Sequence, residues 1–380
     1  MKIGMLTQPL HNNYGGLLQN YALQQVLKGM GHEVETVDWM PEYGWLYTKL
    51  VQVKYTLLSY VRKDVEKPRY KPTTKEMAVL SRNTRRFIEH YLSVCPQRVT
   101  HREGFGDVDR KYGYNAFMVG SDQVWRPSYN AFQKAMFLDF VERKDVKRIA
   151  YAASFGTSAW EFSSELTEEC ARLAKKFDLI TVREKSGVDL CREQLGVDAT
   201  WVLDPTMLLN HEDYEKLVLA EKELKSGGTL FHYILDPSDE KKSLIEQVAA
   251  GQGLQPFTIM PKCQAENRTK WDVKHRIEDC VFPSVTSWLR GFMDAEMVVV
   301  DSFHGAVFSI IFNKPFWVIG NKKRGNARFE SLLGLFGLED RMIVPGETVD
   351  WNKAIDWERV NAVRHIEKER CIELLKTSLK

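Results

Sequence analysis

The stretch MVVVDSFHGAVFSIIFNKPFWVI, Met297 to Ile319, reads as strand, turn, helix, strand. Met297–Val300 is a short β-branched run, which suits a strand buried on both faces. Asp301-Ser302-Phe303-His304-Gly305 interrupts it, and an apolar segment of helical length follows from Ala306 to Asn313. Lys314-Pro315 stops that helix, and Phe316–Ile319 returns as a second strand. Strands alternating with helices in this way define an α/β chain with a mostly parallel sheet.

The same alternation extends outward. In the C-terminal half the spacing predicts strands at Thr229–Leu235 and Phe257–Met260. Helices are expected at Glu240–Ala250, Val285–Met293, Arg328–Phe336 and Trp357–Ser378. In the N-terminal half, Ile3–Leu6 reads as a first strand, Leu17–Met30 as a helix closed by Gly31, and Val34–Asp38 as the next strand. Phe117–Gly120, Arg148–Ala153, Leu179–Val182 and Trp201–Leu203 continue the series, with helices at Ser163–Lys176 and Lys185–Gln194. Asp204-Pro205 breaks regular structure between the two series. We therefore expect two Rossmann-like domains, 1–205 and 206–380, with a central cleft at the carboxyl ends of their strands.

Bulk properties agree with this and exclude other classes. A chain of 380 residues exceeds one compact core. Its 44% hydrophobic and 27% charged content is ordinary for a globular protein. A formal net charge of +2, with no RNP, zinc-finger or helix-turn-helix signature, argues against a nucleic-acid partner. The six cysteines form no metal-binding spacing and read as reduced thiols. The chain opens directly into a strand-like run, and no apolar run is long enough to span a bilayer, so it reads as cytoplasmic.

Five loops carry residues suited to chemistry. The first, between Thr7 and Gly16, contains Asn13-Tyr14-Gly15-Gly16 ahead of a helix. Gly15 and Gly16 would let backbone N–H groups reach an anion, while Asn12, Asn13 and Gln19 suit sugar hydroxyls; the alternative is a polar turn. Gly120-Ser121-Asp122-Gln123-Val124-Trp125 ends a strand. Asp122 could exchange a proton and Trp125 could stack on a sugar, or the pair could be a helix cap and a core tryptophan. Arg183, in Thr181-Val182-Arg183-Glu184, is placed to hold a carboxylate or phosphate, or to form a surface pair with Glu184. Asp301–Gly305 is the sharpest signal, because His304 sits at a strand-to-helix switch, where an imidazole can exchange protons with a ligand. The basic loop Lys322–Arg328 adds Arg324, Asn326 and Arg328, of which Arg328 at a helix start invites an anion.

As an ordered set these segments resemble the polysaccharide pyruvyltransferase family. The matching stretches are Asn13–Gly16 with Leu18–Leu23, Val119–Trp125, Val182–Glu184, Asp204-Pro205-Thr206 and Asp301–Gly305. The resemblance implies a GT-B-like fold, phosphoenolpyruvate as co-substrate with no cofactor or metal, and a sugar or lipid-linked acceptor in bacterial capsule or exopolysaccharide biosynthesis. With such substrates, His304 and Asp122 are the candidates for proton transfer, with acid and base unassigned. Arg183, Arg324, Arg328, Asn326, Ser302, Gly305, Asn13, Tyr14, Gly15, Gly16, Gln19, Ser121 and Trp125 are the candidates for substrate contact. Many members have Arg-Leu-His where this chain has Ser302-Phe303-His304, so Arg324 or Arg328 would supply the missing charge. Two other readings share the architecture: a nucleotide-sugar glycosyltransferase, and a non-catalytic binding module in polysaccharide assembly.

Residues 39–61 mix Trp39, Tyr43, Trp45, Tyr47 and Tyr55 with Lys49 and Lys54. Such a segment suits peripheral contact with the inner face of a membrane; the alternative is a helix packed on the N-terminal domain.

Overall fold

The computed structural model describes residues 1–380 except 43, 63–69, 265–267, 321–324, 345 and 347–348; for 45–48 only the backbone is described. Two parallel sheets organise the chain. The first joins β1 (Lys2–Leu6), β2 (Glu33–Thr36), β3 (Ala116–Asp122), β4 (Lys147–Ala153), β5 (Leu179–Val182) and β6 (Thr200–Trp201) in the order β2-β1-β3-β4-β5-β6. The second joins β7 (Leu230–Tyr233), β8 (Pro256–Phe257), β9 (Met297–Val300), β10 (Phe316–Ile319) and β11 (Met342–Ile343) in the order β11-β10-β9-β7-β8. Every pairing is parallel, as in Ile3 opposite Ala116 and Phe231 opposite Val298. Parallel neighbours need crossover connections, which is why helices separate the strands.

In the first domain these helices are α1 (Tyr14–Gly29), α2 (Trp45–Val61), α3 (Thr74–Leu80), α4 (Arg82–Tyr91), α5 (Gly104–Tyr112), α6 (Ser164–Ala174) and α7 (Lys185–Leu190). The sequence reading assigned no strand between Asp38 and Phe117, and α2 to α5 fill that interval. The second domain carries α8 (His211–Ala220), α9 (Asp239–Gln252), α10 (Lys270–His275), α11 (Val285–Asp294), α12 (Phe303–Ile311), α13 (Ala327–Phe336) and α14 (Trp357–Ser378).

The stretch that decided the class folds as expected except at one end. β9 and β10 match their expected bounds, but α12 starts three residues before Ala306, at Phe303. Ser302 causes this: its backbone is extended and its Oγ accepts the Gly305 N–H at 3.0 Å, a side-chain N-cap. β8 is shorter than the expected strand, ending at Phe257.

One apolar core runs through both domains, from Ile3 and Leu18 through Leu203, Met207 and Tyr214 to Trp288, Phe308 and Phe336. The C-terminal helix crosses back to the first domain. Cys371 and Leu375 of α14 join the core that contains Tyr151 and Leu203, and Lys147 Nζ donates to the Ser378 carbonyl at 2.8 Å. A single division near residue 205 therefore omits this return. Among the described residues no helix is long and apolar enough to cross a membrane.

Candidate functional site

In a doubly wound sheet, the crevice opens where neighbouring strands send their connections to opposite faces. In the first domain that point lies between β1 and β3, and in the second between β7 and β9. The two points meet across a cavity of about 370 Å³. Gln8, His11, Asn13 and Gly15 reach it from the loop after β1 and the start of α1, and Asp122 and Gln123 from the end of β3. Tyr129 lines it as well. From the second domain come Tyr233 and Leu235 after β7, Ser302, Phe303 and His304 after β9, and Arg328 from α13.

The Ser302 cap places His304 in the first turn of α12, with its ring laid against the backbone of Gly15. A Cβ on Gly15 would lie 2.1 Å from His304 Nδ1, so only glycine fits there. His304 Nε2 lies 3.5 Å from Asp204 Oδ2. Asp204 is buried and accepts from Ser121 Oγ at 2.9 Å, Arg183 Nη1 at 2.9 Å and Thr206 Oγ1 at 2.7 Å. Burial alone would raise its pKa, but His304, Arg183 and Thr206 outweigh burial and keep it ionised.

Asp122 sits at φ 71, a left-handed conformation that non-glycine residues seldom adopt. Its Oδ1 accepts the Gln123 N–H at 2.9 Å and lies 3.4 Å from Arg183 Nη2; its Oδ2 accepts from Asn13 Nδ2 at 3.2 Å. Burial pushes its carboxyl up, yet Arg183, His304 and Arg328 together hold it below the usual carboxylate range. At neutral pH Asp122 is an anion, poorly suited to donate a proton.

The two arginines divide sharply. Arg183, with a side chain only 1% exposed, lies between Asp122 and Asp204, with its guanidinium carbon 4.3 Å from the Phe303 ring centroid. It does not line the cavity; it neutralises two buried carboxylates, which differs from the anion-binding role expected of it. Arg328 does line the cavity. Burial and the nearby Arg183 charge lower its pKa to about 10, partly offset by Glu184, Asp122 and Tyr129. It stays protonated at neutral pH, in surroundings that disfavour its charge. An anion in the cavity would relieve both that and the opposing dipole of α13.

Other expected site residues serve the scaffold. Tyr14 is buried, and its hydroxyl donates to the Pro283 carbonyl at 3.0 Å. Gly16 leaves room for Asn13, whose Oδ1 accepts the Gly16 N–H at 3.1 Å and caps α1. Gln19 donates to Thr7 Oγ1 at 2.7 Å inside the domain and not to a cavity surface. Ser121 serves Asp204. Trp125 is fully buried, bonded to the Met136 carbonyl and stacked on Phe137, so it cannot reach a sugar. Gly305 allows α12 to pack on β9, where a Cβ would come 2.8 Å from Val300 Cγ1. Asn326 precedes α13 without lining the cavity, and Arg324 lies outside the described residues. Trp39 is a core residue, its Nε1 bonded to the Thr7 carbonyl at 2.7 Å.

Sequence reasoning missed His11 and Asp204. His11 lines the cavity and is exposed to solvent there; desolvation by the surrounding protein lowers its pKa despite the opposing Asp122 charge. Its signal was position alone, in the loop after β1. Asp204 was read as a chain break, although its place just beyond β6 also set it at the cleft. Among the described residues no group of three or more His, Cys, Asp or Glu side chains could hold a metal ion.

Comparison with known proteins follows the same lines. A family profile described as polysaccharide pyruvyl transferase matches residues 13–323. No curated protein matches the chain. Among solved structures, Arabidopsis thaliana UGT89C1 complexed with UDP-L-rhamnose is similar at 7% identity, covering 99% of this chain and 98% of its own, with a TM-score of 0.50. The UDP-GlcNAc 2-epimerase of Methanocaldococcus jannaschii aligns at 12% identity over 99% of this chain and all of its own, with a TM-score of 0.49. The likeness is one of fold: two Rossmann-like domains in a GT-B-like arrangement.

Proposed function

Because the chain belongs to the polysaccharide pyruvyl transferase family, we propose that it moves the enolpyruvyl group of phosphoenolpyruvate onto a sugar of a lipid-linked polysaccharide precursor. The product is a pyruvate ketal, and phosphate is released. The observation that carries this reading is Arg328, a buried cation whose charge is disfavoured, opening onto the same cavity as the imidazole of His304. Phosphoenolpyruvate brings a carboxylate and a phosphate on one small skeleton, the kind of ligand such a cation favours.

In this mechanism a proton adds to the donor's methylene carbon and leaves the central carbon cationic. One sugar hydroxyl adds there and loses its proton. Phosphate departs, and a second hydroxyl adds to the same carbon, loses its proton and closes the ketal. His304, braced by Asp204, delivers the proton to the methylene carbon. His11, its pKa lowered from the ordinary imidazole value, accepts a proton from a sugar hydroxyl. Asp122, held as an anion, stabilises the cationic carbon; this fixed-charge role replaces the proton exchange expected of it. A lipid-linked acceptor is presented at the inner face of a membrane, so the rim of the cleft must meet a bilayer.

The test is direct. Purified protein with phosphoenolpyruvate and lipid-linked sugar acceptors should release phosphate in step with formation of a ketal carbon seen by NMR. Sugar transfer from a nucleotide-sugar, with phosphoenolpyruvate left intact, would replace this reading with the glycosyltransferase one.

A further inference from the structure

We infer that α2 is a membrane-docking helix that seats the rim of the cleft on an anionic lipid bilayer. Leu50, Val53, Leu57, Tyr60 and Val61 are 62%, 57%, 62%, 74% and 84% exposed. At helical periodicity these five side chains fall within a stripe of about 100°. Tyr55, 47% exposed, falls on the other side of the same helix by helical periodicity, Leu219 and Leu224 form an exposed pair five residues apart, and Trp271 and Ile366 stand alone. A contiguous apolar stripe open to water marks a surface that is covered in use.

The charges identify what covers it. Lys49 and Lys54, both exposed, fall about 20° beyond the two edges of the stripe on the helical wheel. The helix Trp45–Val61 contains no Asp or Glu. Apolar side chains flanked on both sides by lysines fit a bilayer, where the apolar face enters the acyl boundary and the amines reach lipid phosphates. A second copy of the same helix would set like charges against one another.

Placement agrees with this role. All strands of the first sheet run parallel, so their carboxyl ends point toward the cavity, and α2 follows the carboxyl end of β2. The segment between them is anchored to the loop that carries His11. The Leu10 N–H donates to Asp38 Oδ1 at 3.1 Å, and Trp39 Nε1 donates to the Thr7 carbonyl. The inference rests on the proposed function only for the reason to approach a membrane; docking itself can be measured without any turnover.

Vesicle flotation with the full chain tests it. The protein should float with phosphatidylcholine vesicles containing phosphatidylglycerol, less at high salt, and weakly with phosphatidylcholine alone. Leu57→Glu should abolish flotation. Lys49→Glu with Lys54→Glu should weaken binding to the anionic vesicles by about fivefold or more per lysine. Both variants should keep the far-UV circular dichroism of the parent, and any transfer to a water-soluble acceptor should be unchanged. Failure of the parent to float on either vesicle, or flotation of Leu57→Glu as strong as the parent's, overturns the inference. So does a concentration-dependent dimer that Leu57→Glu dissolves while vesicles are ignored, which would assign the stripe to a second copy. Flotation without pyruvyl transfer would leave docking standing and remove only the proposed reaction.

Discussion

Gly15 carries no side chain because the His304 ring occupies the place where one would be. Gly15→Ala should therefore shift the imidazole and lower kcat by about a hundredfold, since a displacement near 1 Å costs roughly that much. The melting temperature measured alongside should fall too, because the added methyl would also lie 2.7 Å from the His304 Cβ. The two buried arginines should respond in opposite ways. Arg183→Ala strands Asp122 and Asp204 without their cation and should cost about 3–5 kcal/mol in urea denaturation. Arg328→Met removes a disfavoured charge, so stability should hold or rise, while the KM for phosphoenolpyruvate climbs steeply. Sequence position put both arginines near the cleft but could not rank their depth. Arg183 is taken out of the cavity by carboxylates from 61 residues upstream and 21 downstream, a convergence that spacing along the chain does not reveal.

At the scale of elements, the strand-turn-helix around His304 was legible because β-branched runs and a helix stop are local signals. Its start was misjudged by three residues, since Ser302 was read as a turn residue and not as the cap of α12. Ser302→Ala should cost about 1 kcal/mol through loss of that cap. It should also reduce kcat more than a surface cap would, because the helix start aims His304. Thermal unfolding beside kinetics on one preparation checks both. Helices α2 to α5 were illegible in detail for the converse reason. Helix α4, for example, is placed by contacts to distant partners, Asn83 Nδ2 to the Phe282 carbonyl and Thr84 Oγ1 to Asn12 Oδ1.

For the whole molecule, the two-domain architecture and the facing strand ends were readable from alternation alone. The return of α14 to the first domain was not, because an amphipathic helix does not state which core it enters. That shared core couples the site's charges to global stability. Asp122 and Asp204 are both held below the ordinary aspartate range in the folded chain. Their stabilisation is complete above the unfolded value, about 3.9, and is lost as pH falls through the folded values. Stability should thus decline in acid below about pH 4, and Asp204→Asn should make that decline shallower in denaturation curves taken across pH. The central claim is that one interdomain cavity holds the anionic donor between Arg328 and His304. A crystal structure with phosphoenolpyruvate tests it most directly. The account predicts an anionic oxygen of the donor hydrogen-bonded to the Arg328 guanidinium and the methylene carbon facing His304. A donor bound anywhere else on the chain, with that cavity empty, would contradict it.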